Sequence, residues 1–157
     1  LRCSARRILV SACSWSWRIR SRDRLYFSPI SLSVSSLPHD KAEAMAEEVG
    51  QEYGLAMAQG LTGADLAVGQ RSLRSAMQAV ADALTAHGFA AHADQRNNQL
   101  RIVNNHCPFG DVAIEHPVIC AVDRGMVKGM LTALYGATDV ATMQSLPQGD
   151  TFCATSV

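Results

Sequence analysis

Residues 117–136 read PVICAVDRGMVKGMLTALYG, and this stretch decides the predicted fold. Apolar side chains recur along it at spacings of three or four residues, which is typical of an amphipathic helix. Pro117 suits the first position of a helix, and Gly136 suits the residue that ends one. The stretch therefore predicts a long helix whose apolar residues are Val118, Ile119, Val122, Met126, Val127, Met130, Leu131 and Leu134.

An earlier helix is predicted from residue 39 to about Gln59. Acidic side chains crowd its first turns, where they suit the positive end of the helix dipole. Its apolar residues also recur at helical spacing. We expect its buried stripe to consist of Ala42, Met45, Ala46, Val49, Tyr53 and Ala56.

A further helix is predicted over residues 66–87. The segment Thr62-Gly-Ala-Asp65 resembles a capping box at its start, and Gly88 is a C-terminal stop signal. The apolar stripe of this helix consists of Leu73, Met77, Val80 and Leu84.

Two pairs of strands are predicted on either side of the long helix. Residues 89–94 and 99–103 flank a polar turn of four residues, and residues 137–146 and 151–157 flank a second turn. The sequence therefore predicts an α+β fold with two N-terminal helices, then an antiparallel β-hairpin, a helix and a β-hairpin.

The formal net charge of zero is the sum of two unlike parts. Residues 1–38 contain seven arginines and one aspartate, which gives +6, whereas residues 39–157 carry −6. We predict that residues 1–38 are an Arg/Ser-rich extension, disordered or non-native. Residues 39–157 are predicted to form a helical dimerisation region followed by an α+β sensor domain. No apolar run reaches the roughly 18 residues that a spanning helix needs.

Two functional interpretations of the basic extension stay open. Val10-Ser-Ala-Cys13 resembles a lipoprotein cleavage box, although the apolar stretch before it is short. Spaced arginines with Trp15 and Trp17 could instead neutralise phosphates and stack on bases of a nucleic acid. The acidic remainder of the chain is a poor partner for DNA by itself.

Three cysteines in the acidic part could carry chemistry. Cys107 is predicted in a loop, Cys120 near a helix start and Cys153 in the last strand. A thiol near a helix start tends toward the thiolate form. With His106 or His116 nearby, three thiolates could bind zinc or an iron–sulfur cluster. The alternative is that the cysteines only pack in the core.

An enzymatic role is not indicated by the sequence. Cys107 beside a histidine has the residue types of a thiol enzyme, but no third orienting group is evident. The sequence has no paired carboxylates, no His-x-x-x-His spacing and no Gly-rich phosphate loop. We expect no enzyme, and keep a thiol-dependent enzyme or a small-molecule-binding domain as alternatives.

The most specific string is Asn105-His-Cys-Pro-Phe109, followed by Val112-Ala113 and His116-Pro-Val-Ile-Cys120. With Gly149-Asp-Thr-Phe-Cys153, it resembles the effector domain of ArsR/DeoR-like winged-helix transcriptional regulators, which include the iron–sulfur-assembly repressors of the Suf type. The resemblance covers about residues 43–157. It implies a cytoplasmic, dimeric sensor domain that controls DNA binding, with a metal ion or iron–sulfur cluster on Cys107, Cys120 and Cys153.

The chain departs from this pattern in two ways. No fourth cysteine lies between Cys120 and Cys153, so His106, His116 or an outside ligand would have to complete a four-ligand site. No helix-turn-helix pattern precedes residue 40. The resemblance therefore implies contact with DNA only through a winged-helix domain that this chain lacks.

Overall fold

The structure is a computed structural model that describes residues 38–61 and 72–157. The order of its elements there confirms the predicted α+β fold. The helices are α1 (His39–Ala58), α2 (Leu73–Ala86), α3 (Asp111–Glu115) and α4 (Ile119–Leu134), and a 3₁₀ turn spans Leu146–Gln148. The strands are β1 (Ala91–Arg96), β2 (Gln99–Asn104), β3 (Ala141–Gln144) and β4 (Cys153–Ser156).

Some predictions lie outside the described residues. These are the Arg-rich extension with its two interpretations, and the capping box at Thr62–Asp65. Helix α2 begins at Leu73, after the N-cap Ser72, whose hydroxyl accepts a hydrogen bond from the Ser75 backbone N–H at 3.2 Å. None of the helices in residues 38–61 and 72–157 is long and apolar enough to cross a membrane.

The four strands form one antiparallel sheet in the order β1-β2-β4-β3. Strand β1 has the predicted length but lies two residues later in the chain, and β2 extends one residue further than predicted. Only Asn97 and Asn98 form the turn between them. Both residues have positive φ, at 51° and 63°, which is the backbone of a two-residue hairpin turn that favours Asn and Gly. Strand β4 lies inside the sheet, between β2 and β3.

The core lies between the sheet and helices α2 and α4. The predicted apolar stripe of α2 is confirmed, since Met77, Val80 and Leu84 are fully buried and Leu73 packs against them. From β2, Ile102 joins the same cluster. The predicted face of α4 is also confirmed, with Met126, Val127, Met130, Leu131 and Leu134 buried.

The predicted buried stripe of α1 is wrong except at Ala42, which is buried. Met45, Val49 and Tyr53 are 54%, 59% and 46% exposed, respectively. A different side of the helix faces α4, and its buried residues are Ala42, Gly50, Gly54 and Ala58.

Glycines explain why this side of α1 is the one that packs. At two glycines on each helix, an added Cβ atom would lie 2.1 or 2.2 Å from a backbone carbonyl oxygen of the other helix. No side chain fits at such distances, so the two backbones touch directly. The pairs are Gly50 with Val122, Gly54 with Met126, Gly125 with Glu47, and Gly129 with Gln51.

Glu47 adds two ion pairs to this helix contact. Its carboxylate accepts hydrogen bonds from Arg124 Nε and Lys128 Nζ, each at 2.9 Å. Burial raises the pKa of Glu47, but the hydrogen bonds from Lys128 and Arg124 outweigh it, so the pKa lies below its usual value. The carboxylate therefore stays charged and helps to fix the register of α1 on α4.

Replacement of Gly54 by alanine should separate the two helices. Alanine favours a helix by about 1 kcal/mol over glycine, but the clash of its Cβ with the Met126 carbonyl should cost more. We expect a net loss of about 2 kcal/mol in the free energy of unfolding, measured by urea titration. Gly60→Ala is the control, because the nearest atom to its Cβ would be Met57 O at 3.6 Å. Equal effects of the two substitutions would contradict the backbone contact.

Candidate functional site

Cys107, Cys120 and Cys153 line one small cavity beneath the loop that follows β2. All three are free thiols of intermediate burial. The cavity leaves about 10 Å³ for the centre of a water-sized sphere, which is roughly the space that one water molecule requires. Its other lining residues are Phe89, Asn104, Phe109, Ala113, Ile119 and Asp123.

The sheet contributes Cys153 and Asn104 to the cavity. The two residues are direct partners in the antiparallel pairing of β2 with β4. Direct partners point to the same face of a sheet, and Asn104 shares that face with Ile102 of the core, because side chains alternate along a strand. The register of β2 and β4 therefore places both side chains towards α4.

Helix α4 contributes Cys120 and Asp123 from its first turn. The two residues are three positions apart, so they lie on the same side of the helix. Asn104 Nδ2 donates a hydrogen bond to Asp123 Oδ2 at 3.1 Å. This bond joins the sheet side and the helix side of the cavity.

The loop after β2 contributes Cys107. Its backbone is tied to the start of the hairpin, since the His106 N–H donates to the Phe89 carbonyl oxygen at 3.2 Å. The rings of Phe89 and Phe109 meet edge to face, with centroids 5.9 Å apart. The Gly110 N–H closes the turn by donating to the Cys107 carbonyl oxygen at 3.1 Å. These contacts hold the thiol over the cavity.

Burial keeps the three cysteines in their thiol form. It raises the pKa of each thiol, that of Cys120 to about 12. The backbone N–H groups of Phe109 and Gly110 lower the pKa of Cys107, but less than burial raises it. The prediction that Cys120 tends toward a thiolate at its helix start is therefore wrong, because desolvation outweighs the helix dipole.

Asp123 is a buried carboxyl of the cavity with one oxygen that lacks a hydrogen-bond partner among the described residues. Within the described residues, its Oδ1 atom and the Asn104 Oδ1 atom are buried and have no hydrogen-bond partner. Burial raises the pKa of Asp123 to about 7, although the hydrogen bond from Asn104 opposes this. A proton on Asp123 would let this carboxyl donate back to the Asn104 amide oxygen and satisfy both atoms.

The structure brings only some of the predicted site residues together. Cys107, Cys120 and Cys153 come together, whereas His106 and His116 are exposed and do not line the cavity. Asp123 was missed in the sequence, although its spacing of three residues from Cys120 was a usable signal.

The cavity is not a preformed metal centre. In residues 38–61 and 72–157, no three side chains of His, Cys, Asp or Glu are grouped closely enough to hold a metal ion as they stand. To bind zinc, the sulfurs would have to move to within about 2.3 Å of the ion.

Fold and site together define an α+β domain with a thiol cavity between its sheet and helix α4. A family model described as MetOD1, methanogen output domain 1, matches residues 31–157, and the chain belongs to this family. The description as an output domain indicates a signalling or regulatory role. No curated protein matches the chain.

The stability of the protein should depend on the ionisation of Asp123. Its pKa in the folded protein lies above the value of 3.8 for a free side chain, so the native state keeps a proton that the unfolded state loses. Wild-type stability should therefore fall as the pH rises from about 4 to 7. Asp123→Asn has no such proton, and its advantage over wild type should grow across this window by up to about 4 kcal/mol.

Urea unfolding between pH 4 and 8, with reductant and a chelator present, measures this difference. Asp111→Asn removes an exposed carboxyl at the start of α3 and serves as the control. Parallel stability curves for wild type and Asp123→Asn would contradict a proton on Asp123 in the native state.

Proposed function

We propose that this chain is the sensing and dimerisation domain of a transcriptional regulator, and that the cysteine cavity is its sensing site. One observation carries the proposal. A loop, a helix and a strand that are far apart in the sequence each bring a cysteine to the same small cavity. A group bound by all three sulfurs would tie these elements together.

A thiophilic metal ion or an iron–sulfur cluster is the proposed ligand. Thiolates are the ligands that both groups prefer. The ligand's positive charge would offset the desolvation that keeps the thiols protonated, and binding would release their protons. Its loss would free the loop that carries Cys107 and the first turn of α4.

Helix α4 would pass such a change to α1. The backbones of α1 and α4 touch at the four glycines, so neither helix can shift by an adjustment of side chains alone. The outer side of α1 exposes Met45, Val49 and Tyr53, which follow one another at spacings of four residues and form one stripe. We propose that this stripe is the dimer contact, since exposed apolar patches mark interaction sites.

Control of DNA binding would follow from a change in the dimer. The likeness of residues 105–120 to the winged-helix regulators supports this proposal. DNA contact would belong to a separate winged-helix domain, because residues 39–157 carry a charge of −6. A shift of α1 would then alter the spacing of two attached DNA-binding domains.

The alternative functions differ in how they use the thiols. A small-molecule-binding domain with structural cysteines agrees with the raised thiol pKa values. A thiol enzyme would need a lowered pKa at its nucleophile, whereas the pKa of Cys107 is raised. The raised pKa values therefore favour a ligand-holding or packing role for the cysteines over a nucleophilic one.

The sensing proposal predicts that metal or cluster binding depends on all three cysteines. Anaerobic purification, followed by analysis of zinc, iron and acid-labile sulfide, should find a bound group in wild type. Cys107→Ser, Cys120→Ser and Cys153→Ser should each lose most of it. His106→Asn is the matched control and should keep it, because His106 does not line the cavity. A metal-free wild type that cannot be reconstituted would leave the cysteines with a packing role only.

The dimer proposal predicts that a charge on the outer side of α1 separates the protomers. Val49 is 59% exposed, so Val49→Lys should leave the folding of the protomer nearly unchanged. Sedimentation velocity should show a dimer for wild type and a monomer for this variant. Ile114→Lys changes an equally exposed residue on α3 and should remain dimeric. A monomeric wild type would remove the dimer from the proposal.

A further inference from the structure

We propose that the Oδ1 atom of Asp123 is the fourth ligand of the cysteine cavity, and that three thiolates and this carboxylate bind a single thiophilic divalent cation of the zinc type. The inference rests on the proposed function, because it takes the cavity as a metal site. It names the ligand that neither a fourth cysteine nor an exposed histidine supplies.

The position of Asp123 is the first argument. Asp123 lines the same cavity as Cys107, Cys120 and Cys153. Among the described carboxyl groups, it is the one that lines this cavity. A carboxylate and three thiols that line one small cavity could share a single cation there.

The hydrogen bonding of Asp123 is the second argument, and it is independent of the cysteines. One carboxylate oxygen, Oδ2, accepts the Asn104 side-chain N–H. The other, Oδ1, is buried at the same cavity, and the described residues offer it no donor. A buried acceptor without a partner costs about 1–3 kcal/mol, and a cation would satisfy it. The hydrogen bond from Asn104 to Oδ2 would then hold the carboxylate in position, as outer hydrogen bonds commonly do at metal sites.

The size of the cavity selects a single ion. The space inside suits about one water-sized sphere, whereas a cluster of two or four iron atoms with their bridging sulfides needs several times more. Zinc accepts both sulfur and carboxylate oxygen in tetrahedral sites. Three thiolates and one carboxylate around a divalent cation carry the same net charge as the common four-cysteine zinc site.

Spectroscopy with Co²⁺ tests the fourth ligand directly. Reduced, metal-free full-length protein is titrated anaerobically with Co²⁺, and Zn²⁺ is then added as a competitor. We expect wild type to give thiolate-to-cobalt charge-transfer bands and the intense visible bands of a tetrahedral site. Asp123→Asn should shift the visible bands and weaken binding at least about tenfold. Asp123→Cys should restore tight binding with bands of a four-thiolate site.

Matched variants separate this inference from the function on which it rests. Glu115→Gln removes an exposed carboxyl at the end of α3, outside the lining of the cavity, and should leave the cobalt spectrum unchanged. If wild type and Asp123→Asn gave the same spectrum and affinity, Asp123 would not be a ligand, and the three-cysteine site would stand. If wild type instead took up iron and sulfide as a cluster and bound no single ion, the inference would fail and the sensing proposal would survive. If wild type bound neither, both would fail.

Discussion

The direct backbone contact between α1 and α4 is the constraint on which the rest of the structure depends. Four glycines bring the two helices so close that carbonyl oxygens occupy the space where side chains would lie. The contact fixes α4, and α4 in turn supplies both the largest apolar face of the core and the first turn of the cysteine cavity. Glu47 strengthens the contact through Arg124 and Lys128. The contact of α1 with α4 thus fixes the position of the cysteine cavity.

The polar groups of the cavity contribute little to the stability of the fold, because they are buried. Three thiols and a carboxyl are partly or fully withdrawn from water, and two buried oxygens of the cavity, Asn104 Oδ1 and Asp123 Oδ1, have no donor among the described residues. A protein that needed only a stable core would fill this space with aliphatic side chains, as it does around Met130 and Leu131. Polar groups that are kept at a cost to stability are more common at functional sites than elsewhere. This cost agrees with the proposed role of the cavity as a binding site.

The sequence predicted those parts of the structure that depend on apolar periodicity. The core faces of α2 and α4 and the two hairpins follow from spacing and turn residues. The packed side of α1 could not be predicted in this way, because glycine adds nothing to an apolar stripe, and Met45 and Val49 gave the stronger signal on the wrong side. Cys120 was placed correctly, but its protonation was not, since burial cannot be read from its position at a helix start. The sequence did not single out Asp123, because a charged residue next to Arg124 on a helix resembles a solvent-facing position.

The position of β4 inside the sheet has a consequence for the order of assembly. This strand pairs with β2 on one side and β3 on the other, although α3, α4 and β3 all come between β2 and β4 in the chain. Pairs so distant in sequence form late, because a long loop must close first. A partly folded chain would therefore hold Cys107 and Cys120 near each other before Cys153 arrives. Any group that requires all three sulfurs would bind only to the finished fold, so its uptake would report that folding is complete.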